Sequence, residues 1–293
     1  MSEASDALRK AFKEGDDQRD AGLTTPEDII RFNEISYGPE PYWQTLDVYK
    51  PKAAADAVLP VIISVHGGGW VYGDKERYQY YCMSLAQRGF AVVNFTYRLA
   101  PDFLFPAGFE DTNTVAAWVM DNAAQYGFDT DHIFAVGDSA GGQMLGLYAA
   151  ITTNPELAAR FPFTVPEGFA FTAIGLNCGV YKFERTDAML LEMTLMKDLL
   201  PGQGTDEELE LMSVVNHITS DYPPTLVMTS TGDMEKMQAP NILPVLFEKN
   251  VPHVFLYCGT QENQLPHVFH CNMKLAEGAK CNDAECDYFK SFL

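Results

Sequence analysis

From residue 59 onward the chain alternates short, unbroken apolar runs with longer stretches in which apolar residues recur every three or four positions. The runs read as strands buried on both faces, and the stretches between them as helices that cover those faces. Strands are predicted at 59–65, 90–96, 132–136, 169–175, 224–230 and 253–258, and helices at 76–88, 109–125, 140–152, 237–249 and 274–291. This alternation predicts an α/β fold with a mostly parallel sheet flanked by helices and right-handed crossovers.

Two regions depart from that rhythm. Trp43 to Tyr49 alternates apolar and polar residues, like a strand with one wet face that Pro51 ends, so the sheet is expected to begin there. Before it, residues 1–36 are charged, with Leu8 and Phe12 four apart and a Thr25-Pro26-Glu27 start signal, which predicts short helices. Residues 182–222 carry Met189, Leu190, Leu191, Met193, Leu195 and Met196 and are too long for a simple crossover. They are expected to form an inserted helical lid over the sheet. At 293 residues, with no repeat and no evident linker, the whole chain reads as one domain, 1–293, with lid elements from 1–36 and 182–222.

Charge narrows the partners. Forty acidic against twenty basic residues give a net charge of −20, which opposes nucleic acid and anionic membrane surfaces. The first twenty residues have no apolar run, so neither a signal peptide nor an anchor is read, and a cytoplasmic location is expected. Self-association stays open. The six cysteines are scattered, which predicts free thiols and no metal site.

The candidate chemistry sits at strand ends. Gly137-Asp138-Ser139-Ala140-Gly141 follows the run Ile133 to Val136 and precedes a helix pattern. A sharp turn between strand and helix is what an exposed nucleophilic serine requires, and the tight turn needs glycines on both sides. His66-Gly67-Gly68-Gly69-Trp70 follows the strand at 59–65. Consecutive glycines can present backbone N–H groups to a developing oxyanion, so Gly68 and Gly69, with Ala140 after the serine, are the candidate donors. No Gly-Lys-Ser/Thr follows, which disfavours a phosphate-binding loop. His66 itself is read as a brace for the glycine loop.

Active sites of open α/β sheets gather at the carboxyl ends of strands, so the partners of Ser139 are sought after later strands. Asp233 lies just past the run 224–230 and is the candidate acid, with Glu235 its nearest substitute. His267 lies in the polar loop after 253–258 and is the candidate base, with His270 as the alternative; His253 opens a strand, and His132 and His217 come too early or within the lid. Such a triad needs no cofactor: His267 takes the Ser139 proton, an acyl-enzyme forms, and water releases the acid.

Taken together, His66 to Trp70, Tyr97-Arg98-Leu99-Ala100-Pro101, Phe105-Pro106-Ala107 with Glu110-Asp111, and Gly137 to Gly142 resemble the hormone-sensitive-lipase-like family of bacterial esterases, over roughly residues 40–291. The resemblance implies an α/β-hydrolase fold, an oxyanion hole from the second and third glycines and the residue after the serine, and a lid from the N-terminal segment and the insertion before the acid. The chain departs from many members in having Met234-Glu235 after the acid, where they have Pro-Leu, and Val268-Phe269 after the histidine, where they have Gly-Phe. The expected activity is hydrolysis of short-chain acyl esters of small molecules. Acetyl esterase activity on carbohydrates, arylformamidase-like amide hydrolysis and a non-catalytic small-molecule receptor are the alternatives.

Overall fold

The computed structural model describes residues 2–293. Its strands are β1 (Ile29–Ser36), β2 (Thr45–Pro51), β3 (Leu59–Val65), β4 (Ala91–Phe95), β5 (Phe128–Asp138), β6 (Ala173–Asn177), β7 (Thr225–Ser230) and β8 (His253–Cys258). They form one sheet in the order β1-β2-β4-β3-β5-β6-β7-β8. β1 and β2, and β2 and β4, pair antiparallel; all other neighbours are parallel. The helices are α1 (Glu3–Asp20), α2 (Lys75–Gln87), α3 (Ala107–Asp121), α4 (Ala123–Tyr126), α5 (Ala140–Thr153), α6 (Pro155–Ala158), α7 (Leu190–Leu199), α8 (Asp206–Met212), α9 (Ala239–Glu248) and α10 (Ala276–Lys290). The expected mostly parallel α/β sheet flanked by helices is the fold observed.

The unbroken apolar runs arise because the central strands are covered twice. Along β3, Val61, Ile63 and Val65 enter a core with α3 and α5, while Ile62 points the other way into a core with α2 and Phe289 of α10. Period-two alternation thus serves two apolar faces rather than one.

Four local expectations are corrected. The sheet begins at Ile29, not near Trp43: residues 29–36 form an antiparallel edge strand where short helices were expected. The polar face of β2 is not wet, because α2 covers it. Asp47 there is buried and accepts from Tyr49 Oη at 2.9 Å and from the Glu34 N–H at 2.9 Å, with Lys75 of α2 at 3.1 Å. The sixth strand starts at Ala173 rather than 169, since Phe169 and Phe171 pack as an aromatic cluster against Tyr148 before the strand begins. β8 is apolar yet exposed: it is the sheet edge, and Val254, Phe255 and Tyr257 face solvent.

The N-terminal segment is one helix, started by the Ser2 side chain accepting the Ser5 N–H. It runs across the carboxyl ends of the central strands, hooked to α7 of the insertion through Asp198, which accepts from Ser2 Oγ at 2.6 Å and Ser5 Oγ at 2.5 Å. Leu8 of α1 and Leu195 of α7 lie directly over Gly69. Among the described residues, no helix is long and apolar enough to cross a membrane.

Candidate active site

Strand β5 ends at Asp138 and α5 starts at Ala140, leaving Ser139 alone in the turn with φ 52° and ψ −122°. A non-glycine residue in that region costs roughly 1–3 kcal/mol and persists only where its surroundings fix it. They do so here. Ser139 N–H donates to Asn177 O of β6 at 3.0 Å, and Gly141 passes so close to β3 that an added Cβ would sit 2.2 Å from Val65 O and 2.4 Å from His66 O. Gly68 is held as tightly: its φ is 124°, and a Cβ would lie 2.0 Å from Tyr72 O. Gly141→Ala and Gly68→Ala are each expected to lower stability by about 3 kcal/mol or more, with loss of soluble protein, which expression yield and thermal unfolding would check; a wild-type melting temperature in either variant would contradict this packing.

The glycine loop is braced from beneath. His66 is fully buried, its ring stacked on Tyr97 at 4.0 Å between centroids, and Tyr97 Oη donates to His66 O at 2.8 Å. Burial pushes the His66 pKa down to about 4. The ring is therefore neutral near pH 7, and its contact with Gly67 O at 2.8 Å assigns the proton to Nδ1. Tyr78 ties loop to elbow: its hydroxyl accepts the Gly67 N–H at 3.0 Å and donates to Asp138 at 2.7 Å.

Asp233 follows β7 and is buried. Burial alone would raise its carboxyl, but hydrogen bonds from His267, Thr229 Oγ1 and the Glu235 N–H outweigh that and hold it below the ordinary aspartate value. His267 Nδ1 approaches Asp233 Oδ1 at 2.5 Å. Since an ionised carboxylate only accepts, Nδ1 carries the proton and Nε2 presents a lone pair. That Nε2 is buried without a hydrogen-bond partner among the described residues. The following residue, Val268, has φ 49°, a left-handed conformation that glycine adopts freely and a β-branched residue resists. Its surroundings hold it there, with the Cys271 N–H donating to Val268 O at 3.0 Å and the Phe269 N–H to Pro266 O at 3.3 Å. Glu235 is also buried; its carboxyl is raised by burial and by Glu192. Protonated, it cannot orient an imidazole as Asp233 does.

Ser139, His267, Asp138, Gly67 and Gly68 share the wall of a cavity of about 160 Å³. The opposite wall is α1, through Ala11, Phe12, Gly15, Asp16 and Arg19. Gly69 and Ala140 do not line the cavity; both are buried one residue behind its wall. His270 is buried away from it, against Cys271 and Tyr81. All six cysteines are free. Asp138, His270 and Cys271, all buried, bring three ligand-type atoms within 4.8 Å of one another, and so do buried Cys178 and Asp233 with half-buried His267; in the second group Asp233 and His267 are already engaged with each other.

Two sets of residues escaped sequence reasoning. The charges of α1 facing the cavity are one. The other is Glu285 of α10, which accepts from Asn177 Nδ2 and Tyr81 Oη, both at 2.7 Å, beneath the site. Burial raises Asp138 and Glu285 each to about 6. Raised carboxyls bind protons more tightly in the folded than in the unfolded chain, so their stabilisation is complete below the ordinary carboxylate pKa and is lost as pH rises through about 6. The thermal midpoint is expected to be a few degrees higher at pH 5 than at pH 7.5, with a smaller difference in Glu285→Gln; calorimetry showing a flat profile would contradict the assignment.

The family profile described as BD-FAE matches residues 46–241. Esterase LipC of Mycobacterium tuberculosis is 30% identical over 213 residues, covering 70% of this chain and 51% of that protein. Carboxylesterase NlhH of the same organism is 39% identical over 226 residues, covering 72% and 69%. Among solved structures, esterase B from Lactobacillus rhamnosis superposes with a TM-score of 0.90 at 28% identity, covering 98% of this chain and 93% of that one. That enzyme has also been solved inhibited by a C4-C4 tributyrin phosphonate. The chain spans about half to two thirds of the length of the curated relatives it matches first.

Proposed function

The chain belongs to the BD-FAE family, within the hormone-sensitive-lipase-like α/β-hydrolase esterases, and from that premise we propose that it is a serine carboxylesterase of short-chain acyl esters. Ser139, His267 and Asp233 are its triad, and Gly68, Gly69 and Ala140 its oxyanion hole. The observation that carries this reading is His267 Nε2, buried with no hydrogen-bond partner among the described residues, on a side chain that lines the same small cavity as Ser139.

His267 Nε2 takes the Ser139 Oγ proton as the oxygen attacks the ester carbonyl, and Asp233, ionised throughout, stabilises the imidazolium. The backbone N–H groups of Gly68, Gly69 and Ala140 hold the oxyanion. Ala140 suits this role as the first residue of α5, whose N–H has no carbonyl one turn earlier. Collapse expels the alcohol with the proton from His267, and the reverse sequence with water releases the acid. No metal or redox group enters these steps, and the substrate is a small-molecule ester.

Short acyl groups are favoured by size. The cavity of about 160 Å³ is smaller than the roughly 300–1,000 Å³ of sites that enclose drug-sized ligands. We assign the lid of a single catalytic domain to α1, which roofs the cavity, and to the 182–222 insertion, whose Asp198 holds α1 in place. Turnover of p-nitrophenyl esters from acetate to palmitate is expected to peak at acetate to butyrate and to fall at least tenfold by decanoate. A peak at long chains would overturn the size argument, and no turnover of any ester would return the receptor and amide readings.

A further inference from the structure

The cavity wall facing Ser139 is charged, which an esterase of plain alkyl esters does not require. Asp16 and Arg19 line it from α1, with side chains 20% and 13% exposed. Arg19 is anchored from behind: Nε and Nη2 donate to Asp20 at 2.8 and 2.7 Å, and Nη2 also to Arg77 O. Its Nη1 sits 2.9 Å from Asp16 Oδ1 as an ion pair, and among the described residues its two N–H groups have no other acceptor. Asp16 Oδ2 accepts from Tyr72 Oη at 3.0 Å. A carboxylate offers about four acceptor positions, so this one retains capacity. Its pKa is raised because burial outweighs the Arg19 and Tyr72 contacts; the carboxylate is short of donors where it stands. Gly15, one turn from Arg19, leaves the space open: an added Cβ would meet nothing within 4 Å.

We propose that Asp16 and Arg19 recognise a hydroxyl group on the substrate, so that the enzyme selects hydroxylated short esters over their alkyl counterparts. A hydroxyl is the small neutral group that donates and accepts at once: it donates to Asp16 and accepts from Arg19 Nη1. An ammonium would be repelled by Arg19, and a carboxylate by Asp16. An alkyl substituent would strip water from both charges and replace none of their hydrogen bonds, the situation in which sites built for a hydroxyl discriminate against its absence. The inference rests on the esterase reading for its chemistry but not for its recognition step.

Two substrate pairs separate the sources of the hydroxyl: ethyl 3-hydroxybutyrate against ethyl butyrate for the acyl side, and glyceryl monobutyrate against propyl butyrate for the alcohol side. In the wild type, one pair at least is expected to show about a tenfold ratio in kcat/KM, falling toward one in Asp16→Ala and to an intermediate value in the near-isosteric Asp16→Asn. The same pairs, titrated calorimetrically into Ser139→Ala, are expected to give a matching ratio of Kd values. Ratios near one in both pairs, or a ratio undiminished in Asp16→Ala, would overturn the proposal. Absence of turnover with a preserved Kd ratio would instead sink the esterase reading and leave the recognition site standing.

Discussion

Ser139→Ala is expected to lower kcat on p-nitrophenyl acetate by about 10⁵–10⁶-fold, with folding intact, because the substitution removes one oxygen from a turn whose backbone is fixed by its neighbours. The magnitude follows from the way triad members act as a unit: once the nucleophile is gone, the base and acid contribute almost nothing. The check has two parts. A p-nitrophenyl phosphonate should transfer its phosphonyl group to Ser139 of the wild type with release of p-nitrophenol, adding the reagent's mass less that of p-nitrophenol, and leave the variant unmodified, and steady-state turnover should vanish in step. The turn itself, with Ser139 at φ 52° and ψ −122°, is already adopted against the serine's own preference, so alanine pays the same backbone strain and no more. A variant retaining a tenth of wild-type turnover would mean that the nucleophile lies elsewhere.

Asp233→Asn should cost about 10⁴-fold in kcat, whereas Glu235→Gln should change it by less than tenfold. The asymmetry comes from what each side chain touches. Asp233 accepts from His267, from Thr229 and from the Glu235 N–H; an amide in its place can turn its NH₂ toward His267 Nδ1, which then becomes the acceptor and moves the ring proton to Nε2, the wrong end for a base. Glu235 contributes to this geometry through its backbone, which the substitution leaves in place. Kinetics on both variants with one ester would decide the matter, and equal losses would shift the acid's role toward Glu235.

The sheet was legible because its central strands are buried on both faces, and burial on both faces leaves uninterrupted apolar runs such as Ile133 to Val136. β1 was not legible for the opposite reason: Arg31, Asn33 and Glu34 interrupt it, and it is held by backbone pairing with β2 and by the Asp47–Lys75 network, which no local pattern announces. β8 misled through its apolarity, since an edge strand can keep exposed aromatics.

In the candidate site, Asp233 and His267 are singled out in the sequence by their positions after strands, and the structure brings their side chains into contact. Whether Gly69 and Ala140 aim their N–H groups at substrate is a matter of orientation rather than sequence. Asp16 and Arg19 lay beyond reach altogether. Charged residues four and three apart on a polar helix read as a solvated face, and only the placement of α1 across the strand ends turns them inward.

The roof of the cavity comes from a single helix of eighteen residues, while the groups proposed for chemistry come from four turns scattered between His66 and His267. On the proposed reading, bond making and substrate choice are written in separate stretches of chain. Mutations at Ala11, Gly15 or Arg19 can reshape what enters without disturbing the serine, the imidazole or the elbow, so a library confined to that helix would explore new substrates on an unchanged engine, and descendants of one ancestor could part company in diet while keeping the same chemistry.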